Sequence, residues 1–186
     1  MGAILQTPRL HLREITESDA ADIYRLDLNP EVMKYVGRSS FDSVDACRLH
    51  IRNKILPVYQ NHPGYGVLLA EDRATKQFLG WFHMRPAYLY RFASEANYAP
   101  GDFDLGFRLR QECWGGGLAT EGSQALIKHA FRSDECQRIV ACAMVGNSRS
   151  RRVLEKCGLR EEATFEIPGY VETLVRYVQP RATNVT

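Results

Sequence analysis

No apolar run in this chain approaches the roughly 20 residues that a membrane-spanning helix needs, so no spanning segment is expected. Residues 1–8 lack the basic segment and apolar core of a secretory signal, which points to a cytoplasmic protein. The five cysteines (Cys47, Cys113, Cys136, Cys142, Cys157) are odd in number and contain no C-x-x-C pair. Neither a disulfide framework nor a metal site is expected from them, and reduced thiols in the core are. An excess of one charge is missing too. With 24 basic and 22 acidic residues the net charge is +2, which gives no general case for nucleic acid. Lysine is scarce: Lys34, Lys54, Lys76, Lys128 and Lys156 are five of the 24 basic residues, and the rest are arginine. Arginine binds planar anions through two parallel hydrogen bonds, so a phosphate or carboxylate ligand is compatible with this composition.

What is present is enough for one core. With 186 residues, 45% of them apolar, we read 1–186 as a single domain. Leu10 and Leu12 alternate with polar neighbours and predict a first strand. Ser18 or Asp19 can cap a helix carrying Ala20, Ile23, Tyr24 and Leu26, which ends before Asn29-Pro30. A second helical region is predicted over 43–59, then an antiparallel hairpin of strands 65–70 and 78–84. The connection 85–101 is long for a compact domain and carries Tyr88, Tyr90, Phe92 and Tyr98. Such connections serve as lids or binding loops, or pack their aromatics on the sheet or on a second subunit, which keeps a homodimer open. A clear strand over 103–109 follows, then a helix with Ala119, Ser123, Leu126, Ile127, Ala130 and Phe131 on one face. An apolar strand over 138–145, a short helix over 148–156 with Gly158 at its C′ position, and closing strands over 164–167 and 173–178 complete the chain. Pro168-Gly169 joins the last two.

The densest chemistry lies where the 103–109 strand runs into Trp114-Gly115-Gly116-Gly117-Leu118-Ala119-Thr120 and a helix starts at once. Glycines let a ligand approach the backbone, and a helix start offers unpaired N–H donors, so this is an anion site suited to a phosphate or pyrophosphate. A P-loop would need Gly-Lys-Ser/Thr, but Leu118-Ala119 follows Gly117. A dinucleotide fingerprint would need a third glycine where Thr120 stands and an acid after the next strand, whereas Asp134 and Glu135 precede that strand.

The Trp-Gly-Gly-Gly-Leu-Ala segment resembles the acyl-coenzyme A loop, Gln/Arg-x-x-Gly-x-Gly/Ala, of the GNAT superfamily of N-acetyltransferases, with Gly117 and Ala119 in the last two fixed places. Trp114 replaces the usual Gln or Arg, and the form Trp-Gly-x-Gly-x-Ala-Thr-Glu is similar to the RimJ/RimL-like branch that acetylates ribosomal-protein N-termini. A second block, Asn147-Ser-Arg-Ser150 through Glu155-Lys156-Cys-Gly158-Leu159, resembles the family's Asn-x-x-Ser-x-x-x-x-Glu-Lys-x-Gly-Phe segment. The opening Thr7-Pro-Arg-Leu-His-Leu-Arg13 is similar to that branch's first strand, and the resemblance extends to about Val178.

The resemblance implies an α/β (α+β) fold with a mixed, mainly antiparallel sheet that splays at the cofactor and is flanked by helices. It implies transfer of an acetyl group from acetyl-CoA to a primary amine by direct attack. The backbone from Gly115 through Gly116, Gly117, Leu118 and Ala119 to Thr120 would hold the pyrophosphate. Backbone groups near Phe107 and Leu109 would bind the pantetheine arm, one N–H polarising the thioester carbonyl. Asn147 would bond the pantetheine amides, a role compatible with capping its helix, and Ser150 on the same helical face and Trp114 at the start of the loop belong to the same implied cofactor-binding set. Many family members place a Tyr before the Glu-Lys pair to protonate the thiolate, but Leu154 stands there. The thiolate donor is then another group, and the resemblance to the branch, where a Ser at the Ser150 position is the acid, gives that role to Ser150, unless its hydroxyl only bonds its own helix backbone; Tyr170 and Tyr177 are fallbacks. Asp104 is the first choice of base for the acceptor amine, through a water or directly, against the alternative of a solvated strand face. Glu14, His83 and Glu172 are weaker candidates. The acceptor expected by branch is a peptide N-terminus; a small amine, or a coenzyme A-binding module without turnover, stays open.

Overall fold

Residues 4–36, 40–167 and 172–182 are described by a computed structural model. The chain packs as two compact units: one of Met1–His83 with Phe107–Gly122, the other of Met84–Gly106 with Ser123–Thr186. Eight strands are hydrogen-bonded in the order β1-β2-β3-β4-β5-β6-β8-β7, with β1 Leu5–Gln6, β2 Leu10–Glu14, β3 Gly66–Asp72, β4 Phe78–Pro86, β5 Asp102–Leu109, β6 Arg138–Met144, β7 Arg160–Phe165 and β8 Leu174–Pro180. The β1–β2, β2–β3, β6–β8 and β7–β8 pairs are antiparallel and β5–β6 is parallel, which gives the mixed, mainly antiparallel sheet that the sequence implies.

In the first unit β2 pairs with β3 from Leu10↔Asp72 to Glu14↔Leu68. The pleat sends Leu10 and Leu12 into the core and leaves His11 and Arg13 to meet Glu71 at 3.0 and 2.8 Å. Helix α1 (Ala20–Leu28) is entered through a 3-10 turn, Glu17–Asp19, rather than directly from a cap at Ser18 or Asp19. Thr16 is the residue that opens this turn: its backbone N–H and its hydroxyl both donate to Asp19 Oδ2, at 2.7 and 2.9 Å. Asn29 both ends α1 and caps the one-turn α2 (Pro30–Met33), accepting from the Glu31 N–H at 2.9 Å. The helix predicted over 43–59 is found in three parts. Ser43 caps α3 (Val44–His50), a π-helical stretch covers Ile51–Ile55, and α4 runs over Leu56–Asn61. Pro57 cannot donate back along the helix, and a wider turn just before it accommodates that loss. Tyr59 on α4 fastens this helix inward: its hydroxyl accepts from the Ile15 N–H at 2.9 Å and donates to the Val67 carbonyl.

In the second unit β6 is a buried strand at Ile139, Val140, Ala141 and Ala143, which pairs with β8 over its whole length. Its parallel ladder with β5 covers only Asp102–Asp104 against Arg138–Val140, while β5 continues to Leu109 and β6 to Met144. The ladder thus ends after three pairs, ahead of the point where the sequence places a splay. The closing strands are longer and shifted relative to the expected 164–167 and 173–178, at Arg160–Phe165 and Leu174–Pro180. The predicted Pro168-Gly169 turn, with Tyr170, lies outside the described residues.

Candidate active site

In the first unit β5 ends at Leu109, and the 3-10 turn Gln111–Cys113 leads into the three glycines. Trp114 faces back along the chain, its indole N–H donating to the Leu109 carbonyl at 2.9 Å. The side chain that departs from the family pattern therefore braces the base of the loop. Gly115 and Gly117 have φ of 80° and 82°, a backbone region that costs a side-chain-bearing residue strain. Gly116 has no such φ. A Cβ at Gly115 would meet nothing within 4 Å, and one at Gly116 would only brush the Cys113 carbonyl at 4.0 Å. One at Gly117 would meet the Arg9 guanidinium at 3.5 Å, so the loop touches its own unit there and is otherwise open.

Helix α5 (Leu118–Ala130) begins at once, and the Glu121 N–H bonds the Gly117 carbonyl at 3.0 Å. Among the described residues, no backbone acceptor takes the N–H groups of Gly115, Gly116, Gly117, Leu118 or Ala119. Open donors at the positive end of a 13-residue helix, beside three glycines, fit a pyrophosphate. Phe107 is on the strand that leads here, its ring 6.2 Å from that of Phe82. Next to it, Arg108 stacks over Trp81 at 4.8 Å and forms a buried ion pair with Asp27 of α1. That pair ties this end of β5 to α1.

The second unit holds the rest of the expected chemistry. Helix α6 (Ser148–Lys156) is capped by Asn147, whose Oδ1 accepts from the Ser150 N–H at 3.1 Å. The capping bond uses the carbonyl oxygen and leaves the amide nitrogen for another partner. Only the backbone N–H of Ser150 takes part in a described hydrogen bond, and its hydroxyl makes none to its own helix. Gly158 stands just past α6 with φ 91°, as its C′ assignment requires. Tyr177, a fallback acid, is fully buried; its hydroxyl accepts from Arg151 at 2.8 Å and lies 3.4 Å from Glu155. That bonding makes it a brace between β8 and α6.

Asp104 is on the face of β5 for which the alternation allows solvent, yet it is 3% exposed. Arg85 reaches it with Nη2 at 3.2 Å and Nε at 3.4 Å. The solvated strand face considered as its alternative is therefore not what surrounds it. The 85–101 connection covers this side of β5 and β6. Tyr98 packs with Ala87, Val140 and Val178, and its hydroxyl meets Cys142 Sγ at 2.9 Å. Burial is the first cause that pushes both groups up, Cys142 to about 12, so neither is ionised near neutrality; the Asp104 charge acts in the same direction on each. Arg176 binds the Ala96 and Asn97 carbonyls, and Asp102 holds both Arg138 at 2.7 and 2.8 Å and the Ala99 N–H at 2.8 Å. Of the weaker base candidates, Glu14 ends β2, His83 stacks with Trp81 at 5.9 Å between ring centres, and Glu172 lies just before β8.

Two features have no role that sequence reasoning assigns. Gly122, in the first turns of α5, has the Phe82 ring well inside contact distance of where a Cβ would be, so its lack of a side chain sets the distance between helix and sheet. Arg9 and Glu121, 112 residues apart, meet directly beneath the loop. Both lie in segments that resemble the same branch, and their co-occurrence is the signal that could have found them.

Comparison with known proteins agrees with this geometry. The model of the family described as an acetyltransferase (GNAT) domain matches residues 9–160. The FsC-acetyl coenzyme A-N(2)-transacetylase of Aspergillus fumigatus is 29% identical over 181 residues, 93% of this chain and 74% of its own. Two solved structures share the fold. RimL, a ribosomal L7/L12 alpha-N-protein acetyltransferase in complex with coenzyme A, superposes with a TM-score of 0.73 at 19% identity over 96% of this chain and 97% of its own. The aminoglycoside acetyltransferase AAC(6')-Ib in complex with coenzyme A and kanamycin gives 0.74 at 21% identity over 92% and 95%.

Proposed function

This chain belongs to the GNAT family of acetyltransferases and takes its acetyl group from acetyl-CoA, and we propose that its acceptor is the N-terminal amine of a protein or peptide, as in the RimJ/RimL-like branch. The observation that carries this reading is the 85–101 connection. A small-amine site would be closed by Tyr88, Tyr90 or Tyr98, whereas a peptide needs an open approach. Tyr98 is packed into its own unit, and Tyr90 meets it at a tilt and Phe92 edge-on, each with ring centres 5.7 Å apart. Two of the three closing rings are thus committed elsewhere. A relative in the ribosomal class shares the fold, which is compatible with the reading.

The residues divide the work, with 1–186 acting as one catalytic domain. The amides of Gly115 to Thr120 would hold the pyrophosphate at the start of α5. Backbone groups near Phe107 and Leu109 would hold the pantetheine arm, and one N–H there would polarise the thioester carbonyl. The Asn147 amide nitrogen would reach the pantetheine while its oxygen keeps capping α6. As the acceptor nitrogen bonds the acetyl carbon and the carbon–sulfur bond breaks, Ser150 would give its proton to the departing sulfur. That its hydroxyl makes no hydrogen bond among the described residues supports that role, and the engaged hydroxyl of Tyr177 speaks against that fallback. Asp104 would receive the amine's proton through water, because burial and Arg85 keep its carboxylate from direct contact with a bulky acceptor.

A second reading, a small-molecule amine, is favoured by Tyr88, which remains 67% exposed. Thiol release with ribosomal N-terminal peptides and with a panel of small amines separates the two. Peptide kcat/KM values at least about tenfold above every small amine support the first reading, and the reverse order rejects it. Ser150→Ala should lower kcat by roughly 100-fold while acetyl-CoA still binds; an unchanged kcat would remove Ser150 from the chemistry.

A further inference from the structure

The three glycines raise a mechanical problem. A loop of residues with no side chains, exposed and with its amides unmet among the described residues, has many conformations to choose from and loses much entropy when a ligand fixes one. Something must hold it in the binding shape beforehand. The contact that does so comes from the start of β2.

Arg9 uses two of its nitrogens on this region. Nε donates to Glu121 Oε2 at 2.6 Å, and Nη1 donates to the Gly116 carbonyl at 2.7 Å. Glu121 is in turn held on its other oxygen, by the Thr7 hydroxyl at 2.6 Å and the Arg9 backbone N–H at 3.0 Å. Thr7 and Arg9 are themselves anchored from β3's end: Arg73 donates to the Thr7 carbonyl at 3.1 Å from its side chain and to the Arg9 carbonyl at 2.9 Å from its backbone. Burial raises the Glu121 pKa, but the bonds from Thr7 and Arg9 outweigh it and hold the carboxyl below its ordinary range, so the acceptor is charged at neutral pH.

The geometry of a peptide bond gives this clamp a consequence. In a trans peptide the C=O of one residue and the N–H of the next point in opposite directions in one plane. Fixing the Gly116 carbonyl on Arg9 therefore aims the Gly117 N–H away from Arg9. The same carboxylate that anchors Arg9 belongs to the first turn of α5, so loop and helix start are held to one another. We propose that Thr7, Arg9 and Glu121 are positioning residues of the coenzyme site: Arg9 turns the Gly116–Gly117 peptide so that its N–H faces the pyrophosphate, and Glu121 with Thr7 holds Arg9 in place. The proposal rests on the glycine loop being the pyrophosphate site. It also explains why Thr7-Pro-Arg and Ala-Thr-Glu occur together in one chain, since they are two halves of one contact.

The test is steady-state kinetics with acetyl-CoA varied at saturating acceptor, together with calorimetric titration of coenzyme A, on the full-length protein. Arg9→Ala should raise the KM for acetyl-CoA and the Kd for coenzyme A by about tenfold, as expected for a lost charge-assisted hydrogen bond, with kcat within about twofold and the acceptor KM unmoved. Arg9→Lys should recover less than half of the loss, because an ammonium lacks the fork that spans carboxylate and carbonyl. In the Arg9→Ala/Glu121→Gln double variant the KM should be no higher than in the worse single variant, the signature of one shared device. Equal losses in kcat and kcat/KM, full rescue by Lys, or additive effects would each overturn the clamp. Gly117→Asp is the control for the underlying reading. If it binds coenzyme A normally, the loop is not the pyrophosphate site; if it fails to bind while Arg9→Ala binds normally, only the clamp is wrong.

Discussion

The glycine loop of the first unit and the 85–101 connection of the other unit both interrupt the run of strands, yet they are built oppositely. The loop is three residues without side chains, fastened from outside by Arg9 and braced by Trp114, with its own amides unmet among the described residues. The connection is long and fills itself: Ala96 is fully buried, Tyr98 packs on β6 and β8 residues, and Arg176 and Asp102 bind its backbone. Length therefore misleads about function here. The short segment leaves its N–H donors without a backbone acceptor among the described residues, and the long one uses its polar groups on the protein.

The contrast can be broken by substitution. Gly117→Asp has the largest expected effect: a non-glycine at φ 82° with an anionic side chain beside a pyrophosphate site should reduce acetyltransfer by more than about 100-fold, with far-ultraviolet circular dichroism unchanged. Gly122→Ala should act on stability instead. Its Cβ would overlap the buried Phe82 ring, and overpacking of this kind costs about 1–3 kcal/mol, visible as a lower urea midpoint. Tyr98→Phe removes the contact with Cys142 and should cost about 1 kcal/mol with kcat/KM for peptide acceptors retained, because the ring is structural. A large loss of acceptor specificity in that variant would return the connection to the role of a lid. Gly116→Ala is the smallest. With no positive φ and open space at its Cβ, it should leave Tm unmoved and the KM for acetyl-CoA within about twofold, which separates the strained glycines from the unstrained one.

Much of this is legible in the chain because the signals are local. The 103–109 alternation, the glycines, the periodicity of α5 and the Asn147–Gly158 block are each written in a few neighbouring residues, and each stands where expected. Contacts between distant segments are not legible. Alternation allows Asp104 a solvated face, but its partner Arg85 comes from β4, across a connection whose packing has no period. The Arg9–Glu121 pair spans 112 residues, and either residue alone reads as a surface charge. Thr16 does not stand out as the opener of α1 because its 3-10 turn displaces the cap by a few residues. The π-helical stretch before Pro57 and the two-residue β1 are shorter than any pattern can mark.

One titration tests the central claim most directly. Coenzyme A titrated into the wild-type protein and into Gly117→Asp should give saturable one-to-one heat in the first and no heat of binding in the second. Undiminished binding by Gly117→Asp, with its fold intact, would contradict the assignment of the glycine loop as the coenzyme's phosphate site.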